Sequence, residues 1–214
     1  MKRTISYIFL FIILFLPFTL SQSDYKIELS GGKVTSALEN TLLPYWDTGW
    51  SFGISGSKKL SKGVELTSSF SLQNFNFQKN FVKFPLNVDP PGIHREISGG
   101  ENSNVFNFTL GLRLLTSGRK ITTFFSLVGG LQYIKQGKVF ITYNIINYST
   151  LRSTSSTYVF NNNRNHLMGI GSFGVGLSVN IIAKINLITE AKLVSTFKDF
   201  TTYSILSAGI QYSL

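Results

Sequence analysis

Residues 104–115 read Asn-Val-Phe-Asn-Phe-Thr-Leu-Gly-Leu-Arg-Leu-Leu, and apolar side chains occupy every second position. In an extended strand, successive side chains point to opposite faces. One face therefore carries Phe106, Phe108, Leu110, Leu112 and Leu114, and the other carries Asn107, Thr109, Gly111 and Arg113. A strand of about ten residues with one apolar and one polar face is typical of a transmembrane β-barrel.

The same period-two alternation recurs along the chain, and the last instance runs to residue 214. The segments are 25–34, 48–57, 64–77, 104–115, 121–136, 166–179, 185–195 and 203–214. Short connections at 58–63, 116–120 and 180–184 alternate with longer ones at 37–47, 78–103, 137–165 and 196–202. This arrangement predicts an all-β fold, an eight-stranded antiparallel up-and-down transmembrane β-barrel with periplasmic turns, external loops and both termini in the periplasm.

The first 23 residues have the features of a secretory signal peptide. Two basic residues precede an uncharged apolar run from Ile5 to Leu20, and small polar residues follow it. We predict cleavage after Ser21 or Ser23, which leaves a single barrel domain over 24–214. A membrane anchor is the alternative, although the run is short for a membrane span.

The chain is basic, with a formal net charge of +10. Removing Lys2 and Arg3 with the signal leaves 18 basic and 10 acidic side chains, a net charge of +8. The basic residues are spread over turns and loops without a stripe of stacking aromatics, so no nucleic-acid partner is expected. Outer-membrane lipid and the phosphates of lipopolysaccharide are the expected partners of the external loops. The alternative is that these charges are merely solvated.

The ends of the strands carry two further signals. Trp50, Tyr133 and Tyr212 lie near strand ends, where an aromatic girdle would meet the lipid–water boundary. Within 64–77 the alternation shifts phase near Asn74 to Phe77, which a β-bulge or the exit from the membrane would explain.

The polar faces of the segments contain equal numbers of acids and bases, namely Lys26, Glu28, Glu65, Arg113, Glu190 and Lys192. If these faces line the lumen, the charges must pair, because burying an unpaired charge is costly. We therefore predict a charge network across the lumen, with Glu65 and Arg113 as one ion pair. A charged pore or a proton path is the alternative, although eight strands enclose only enough space for side chains.

No constellation in the sequence predicts catalysis. The two histidines, His94 and His166, fall in or beside external loops, where a general base of a lipid-modifying enzyme would be needed. Their neighbours match no catalytic motif, and no metal-ligand spacing or phosphate-binding loop occurs. The chain also has no cysteine. We expect no catalytic residues, no metal and no cofactor.

The connection 137–165 contains further alternation. Val139, Ile141, Tyr143 and Ile145 share one face, and a second run at 157–159 includes Tyr158. These runs predict a hairpin that extends two barrel strands beyond the membrane. Its exposed edges would be able to recruit a strand of a partner protein. An ordinary mobile loop is the alternative.

Alternation alone does not decide whether the apolar face points outward to lipid or inward to a ligand pocket. A secreted lipocalin-like barrel is therefore a competing fold. The charges on the polar face, the alternating connection lengths and the strand pattern that runs to residue 214 favour the membrane barrel.

Three stretches carry a family resemblance, namely 49–53 continuing through 59–66, then 128–133, and the ending 208–214. Their glycine and aromatic hairpins resemble the outer-membrane β-barrel domain family that includes PorT-like proteins. The ending is similar to the signal by which the barrel assembly machinery recognises its clients, except that Leu214 replaces the usual terminal aromatic and Tyr212 keeps one on the same face. The resemblance implies location and fold, because this family has no common catalytic residues.

These observations predict an integral outer-membrane protein of a Gram-negative cell. We expect a non-enzymatic role that is structural, or that serves surface interaction or adhesion through the external loops. An enzyme acting on envelope lipid and a small channel are the competing functions.

Overall fold

The computed structural model describes residues 25–36, 46–79, 93–116, 118, 120–147, 150, 152–159, 165–197 and 202–214. The predicted signal peptide and its cleavage sites lie outside the described residues. No helix within those ranges is long and apolar enough to cross a bilayer.

The described residues form strands throughout the chain. They are β1 (Tyr25–Ser36), β2 (Trp46–Ser61), β3 (Val64–Phe77), β4 (Ile93–Gly100), β5 (Ser103–Leu115), β6 (Ile121–Lys135), β7 (Val139–Asn147), β8 (Arg152–Val159), β9 (Asn165–Ile182), β10 (Ile185–Thr196) and β11 (Thr202–Ser213). Eight of them close into an antiparallel barrel in the order β1-β11-β10-β9-β6-β5-β3-β2. The other three form a sheet in the order β4-β7-β8. The predicted eight-stranded barrel is confirmed, and its strands match the eight predicted segments.

The two ends of the barrel differ. One end, here the turn end, carries the tight turns at 62–63 and 183–184 together with the connection 116–120. At the first turn Gly63 has a φ of 88°, a left-handed conformation that glycine adopts without strain. The opposite end, here the loop end, carries the sheet formed by β4, β7 and β8, which we call the loop-end sheet.

The connection 78–103, which was predicted as an external loop, contains a strand in its second half, after Pro90-Pro91-Gly92. Strand β4 begins at Ile93, directly after these residues, and pairs with β7. Prolines restrict their own backbone and that of the preceding residue, so they place no limit on the chain that follows them.

The register of the barrel follows from one circuit of hydrogen-bonded partners. Starting at Glu65 on β3 and stepping once around the barrel returns to β3 at Phe75, ten residues further along. The inward-facing partners on this circuit are Glu65, Arg113, Ser126, Gly174, Lys192, Ile205, Val34, Gly49 and Phe75. A stagger of ten residues over eight strands corresponds to a strand tilt of about 41°.

The outward face of the barrel is apolar. Large hydrophobic side chains stand exposed around its wall, including Leu29, Phe52, Ile54, Phe70, Leu110, Leu127, Val175, Leu206 and Ile210. On β5 the outward apolar row runs from Phe106 to Leu114. These eight residue steps rise about 27 Å along the strand, or about 20 Å along the barrel axis at this tilt. An apolar exterior of this height fits the hydrocarbon of a bilayer and rejects the lipocalin-like alternative, whose apolar face points inward.

The lumen changes character along its length. Near the turn end it contains buried charged and amide groups, including Glu65, Arg113 and Gln211. At the loop end it is filled by an apolar cluster, which we call the apolar stopper: Val34, Trp46, Phe75, Ile97, Val105, Ile134, Val139, Met168, Ile170, Val194, Tyr203 and Ile205. Two of these residues, Ile97 and Val139, lie on β4 and β7. The base of the loop-end sheet therefore packs into the apolar stopper.

The apolar stopper accounts for most of the predicted phase shift within 64–77. Along β3 the pairing with β5 is unbroken from Val64 to Phe75, and β3 does not change face. On its other side the pairing with β2 shifts register between Trp46↔Phe77 and Gly49↔Phe75, so an irregularity does occur at this level. Phe75 points inward like Gln73 and is fully buried. The sequence pattern reverses because the lumen turns from polar to apolar at this level.

Glycines on the inner face of β9 make room for lumen side chains. A Cβ at Gly176 would overlap the ring of Phe124 and the backbone carbonyl of Thr189. A Cβ at Gly174 would crowd Ser126, Glu190 and Lys192. The small-residue row on this strand is therefore required by close packing inside the barrel.

Replacing Gly176 by valine is expected to lower the free energy of unfolding by about 1–3 kcal/mol, because the new side chain overpacks the lumen. The matched control is Gly56→Val, since Gly56 has no atom within 4 Å of an added Cβ. Urea unfolding of the folded barrel in detergent measures both. Equal stability of the two variants would contradict this packing.

Candidate functional site: the closed lumen and the loop-end sheet

Arg113 is the centre of a buried charge network in the lumen. Its guanidinium donates a hydrogen bond to Glu28 at 3.1 Å and lies 3.9 Å from the carboxylate of Glu190. Glu190 also pairs with Lys192 at 2.8 Å and accepts a hydrogen bond from the hydroxyl of Ser126 at 2.7 Å. Arg113 and Glu190 are 3% and 2% exposed, so each charge depends on its partners for solvation.

The predicted ion pair between Glu65 and Arg113 was wrong. These residues are cross-strand partners, yet Glu65 pairs instead with Lys26 at 2.5 Å, across the intervening strand β2. Register places two side chains on the same face, but the long arginine reaches past its neighbour to carboxylates on more distant strands. All six predicted lumen charges thus lie inside the barrel, in one pair and one network of four.

The arginine spans the lumen. In the barrel order, β5 lies diametrically opposite β11, and the carboxylates of Glu28 and Glu190 stand on β1 and β10, which flank β11. The guanidinium also lies over the ring of Phe124, 4.4 Å from its centroid. The side chain of Arg113 therefore connects β5 with β1 and β10 across the lumen and obstructs it. We call this contact the Arg113 bridge.

A second obstruction lies closer to the loop end. The hydroxyl of Tyr203 on β11 accepts hydrogen bonds from Asn107 on β5 at 2.7 Å and from Gln132 on β6 at 2.6 Å. The tyrosine ring packs edge-on against Phe75, with centroids 5.6 Å apart. Sequence reasoning missed this bridge, because a tyrosine among alternating residues gives no sign of which wall it reaches.

Two small cavities lie in the lumen, in the part of the chain that the structure describes. One cavity of about 80 Å³ near the turn end is lined by Lys26, Glu65, Arg113 and Asn186, among others. Another of about 50 Å³ lies between the two bridges and is lined by serines, Asn107 and Thr109 together with apolar residues such as Ile170 and Ile205. Buried oxygen and nitrogen atoms of Glu65 and Arg113 without a protein partner adjoin the first cavity. Spaces of this size suit ordered water, which satisfies such atoms.

The three predicted interfacial aromatics all stand on the outer wall. Trp50 and Tyr133 lie toward the loop end, and Tyr212 lies at the turn end. The ammonium of Lys184 sits 5.8 Å from the ring centroid of Tyr212, and that of Lys58 sits 5.3 Å from the ring of Tyr25. Tyr25 is half-buried beside Lys58 at the same end of the barrel as Tyr212, and the sequence pattern did not single it out.

The loop-end sheet continues the barrel wall. From the β5–β6 pair Asn104↔Lys135, a backbone hydrogen bond of 2.8 Å between Glu101 and Lys138 leads in unchanged register to Gly100↔Val139 of the β4–β7 pair. The β7–β8 pairing likewise follows the β6–β9 pairing, with an offset of one residue. The sheet is therefore built on three barrel strands and has a fixed direction relative to the membrane.

The predicted hairpin residues occupy this sheet. Val139, Ile141, Tyr143 and Ile145 lie on β7 and Tyr158 on β8, which pair as an antiparallel hairpin. Val139 and Ile141 are buried near the barrel, and Ile145 is exposed further out. Tyr158 lies opposite Ile141, near the barrel, and is exposed. The sheet also has a third strand, β4, which was not predicted. It pairs with the edge of β7 that does not face β8.

The histidines do not form a site together. His94 is exposed on β4 opposite Asn144, and His166 is half-buried on β9 opposite Ile134. Their partners are ten residues apart along the β6–β7 wall, a separation on the order of 30 Å. Within the described ranges no three His, Asp or Glu side chains converge to hold a metal ion.

The fold is similar to those of solved outer-membrane barrels. The Neisserial surface protein A (NspA) matches 89% of this chain and 97% of its own, with a TM-score of 0.54 and 8% identity. Ail, the attachment invasion locus protein of Yersinia pestis, matches 88% and 98% with a TM-score of 0.46 and 11% identity. The N-terminal barrel domain of Pseudomonas aeruginosa OprF matches 89% and 98% with a TM-score of 0.42 and 11% identity. No family model and no curated sequence matches this chain.

At these identities the likeness shows the fold alone. The closed barrel, its apolar exterior and its polar, occupied lumen supply the physical argument for location, since no open strand edge faces hydrocarbon. The chain is an integral outer-membrane β-barrel, as the sequence predicted.

Arg113→Met is expected to reduce the free energy of unfolding by about 3–5 kcal/mol, because it leaves Glu28 buried without its partner. Adding Glu28→Gln restores charge balance, since the Lys26–Glu65 and Lys192–Glu190 pairs remain. The double variant should therefore regain most of the loss in urea unfolding experiments. A double variant no more stable than the single one would contradict this account of the network.

Proposed function

We propose that this protein is a non-enzymatic outer-membrane barrel that presents the loop-end sheet outside the cell as a binding platform. Its role is surface interaction or adhesion, with a structural contribution to the membrane. The observation that carries the proposal is the continuous register from Asn104↔Lys135 of β5–β6 to Gly99↔Phe140 of β4–β7, which fixes the base of the sheet on the wall. A preorganised surface loses less conformational entropy on binding than a mobile loop does.

The occupied lumen favours this role over conduction. The Arg113 bridge, the Tyr203 bridge and the apolar stopper obstruct the bore at three successive levels. An ion would need to displace buried, paired charges and then cross an apolar plug, both of which are costly.

The positions of the histidines favour binding over catalysis. A general base must lie within hydrogen-bond reach of the group it deprotonates. Within the described residues His94 and His166 have no hydrogen-bonded carboxylate or hydroxyl, and their distant strand positions exclude a shared site. We therefore propose no catalytic role for this barrel.

The same orientation defines the proposed membrane partners. With the loop end external, the exposed ammonium groups of Lys33 and Lys135 face outward near the upper limit of the apolar wall. Phosphates of lipopolysaccharide are the natural counterions at that level. We further propose that the chain is a PorT-like small barrel, and that its assembly machinery recognises β11 with Tyr212 on its lipid face.

Deleting residues 140–160 and joining the ends with a short Gly/Ser linker is expected to abolish adhesion, because it removes most of β7 and all of β8. The assay compares the adherence of Gram-negative cells expressing the full chain or the deletion variant to a protein-coated surface. The barrel strands lie outside the deletion, so the variant should remain heat-modifiable on gels. Unchanged adherence of a correctly folded variant would refute the proposed function.

A further inference from the structure

The two edges of the loop-end sheet are built differently. The outer edge of β4 carries three features by which proteins prevent unwanted strand pairing. Its register shifts between Ile97 and Gly99, it carries the exposed side chains of His94 and Glu96, and two prolines precede it in sequence. Lys79 donates a hydrogen bond of 2.8 Å to Glu96 and, with its charge, lowers the pKa of that carboxyl. This edge is irregular and charged.

The outer edge of β8 has none of these features. Its sequence, Arg-Ser-Thr-Ser-Ser-Thr-Tyr-Val, contains no proline or glycine and carries a single charge at its first position. It pairs with β7 in one register from Phe140↔Val159 to Asn147↔Arg152, without a bulge. All eight residues are exposed, and among the described strands none pairs with its other side.

The side chains of β8 are ordered from the β7 side. The hydroxyls of Thr142 and Thr157 are hydrogen-bonded at 3.0 Å on one face. On the other face the rings of Tyr143 and Tyr158 pack edge to face, with centroids 5.4 Å apart. The edge is therefore regular and held in place, and none of the described strands covers it.

We propose that the outer edge of β8 binds an extended segment of another protein, which adds to the loop-end sheet as a fourth, antiparallel strand. This inference rests on the proposed surface-binding function and names its mode. Main-chain hydrogen bonds to β8 supply the affinity, and alternate side chains supply the specificity. Antiparallel addition is favoured because its pairing is the more stable per residue.

The residues along β8 define the chemistry of the partner segment. Tyr158 and Val159 are 59% and 56% exposed, one on each face of the sheet, at the end nearest the barrel. Cross-strand neighbours there gain most from aromatic or β-branched side chains. At the end of β8 furthest from the barrel, an acidic residue of the partner segment would pair favourably with Arg152. In the antiparallel sense the segment reads apolar or aromatic first, then uncharged β-branched residues, then an acid.

A second copy of this chain is a poorer occupant. The loop-end sheet continues the barrel wall, so β8 runs in the same sense in every copy within one membrane. Two such strands related by a twofold axis along the membrane normal would pair parallel, which is the less stable arrangement. Two edges of eight residues also bury far less than the area of about 1,200 Å² that a stable dimer needs.

The test measures binding of a fluorescent peptide, Ile-Tyr-Thr-Val-Thr-Thr-Val-Glu, to the full chain in detergent micelles by anisotropy. Two further peptides carry N-methyl groups on the odd or on the even residues. In an added strand only one of these sets faces β8, so one peptide should bind at least about tenfold more weakly and the other within about threefold of the parent.

Variants of the protein complete the experiment. Ser155→Pro and Ser156→Pro each remove one backbone donor of β8, and one of the two donors faces the open edge. At least one variant should weaken peptide binding about tenfold, whereas Ser155→Ala and Ser156→Ala should change it less than about threefold, because the backbone carries the contact.

No saturable binding, or equal loss with both methylated peptides, would overturn strand addition at β8. A doubled protein mass in light scattering that the proline variants abolish would assign the edge to a second copy and overturn the choice of partner. If the deletion of 140–160 abolishes adherence but the proline variants do not, the proposed function stands and strand addition is refuted.

Discussion

Backbone polar groups inside a bilayer have no water to bond with, and the whole structure depends on satisfying them internally. The pairing of β1 with β11 achieves this, because it joins the first and last described strands over a continuous register from Lys26↔Ser213 to Ser36↔Tyr203. Once the sheet is closed, no edge faces lipid, and the outer wall is free to be apolar on every strand. The period-two pattern of the sequence follows from this arrangement, because lipid-facing and lumen-facing residues alternate along each strand.

Closure also determines what the lumen must contain. Eight strands staggered by ten residues enclose a space that side chains fill. Charges in that space are retained only as balanced sets, here Lys26 with Glu65, and Arg113 and Lys192 with Glu28 and Glu190. The apolar stopper closes the loop end, and its residues from β4 and β7 anchor the loop-end sheet. Lumen packing and the position of the loop-end sheet are therefore coupled. Ile97 and Val139 help to fill the lumen and also anchor the proposed binding platform.

The sequence predicted what lipid exposure dictates and missed what depends on distant contacts. The eight barrel strands were predictable, because one face of each meets hydrocarbon along its length. The reversal near Phe75 was predicted as a bulge or a membrane exit, and the β2–β3 pairing does shift register there. The alternation did not reveal that the lumen also becomes apolar at this level, because it records only the contrast between two faces. Strand β4 was missed because it is short, follows two prolines and is defined by pairing with β7, some forty residues later. The partner of Arg113 was wrong because register identifies neighbours on a face, whereas a long side chain selects its partners across the bore.

The two tryptophans of the chain test the inside-out arrangement of the barrel directly, because they lie four residues apart on opposite sides of the wall. Trp46 is 3% exposed and its indole donates a hydrogen bond of 2.9 Å to the carbonyl of Glu101, whereas Trp50 is 48% exposed on the outer wall. The measurement is fluorescence quenching by brominated lipids after refolding of Trp46→Phe and Trp50→Phe variants into vesicles. We expect strong quenching of Trp50 in the first variant, because it faces lipid, and little quenching of Trp46 in the second, because it is buried in the lumen. Quenching of Trp46 by lipid, with Trp50 untouched, would contradict the inside-out arrangement on which the barrel is built.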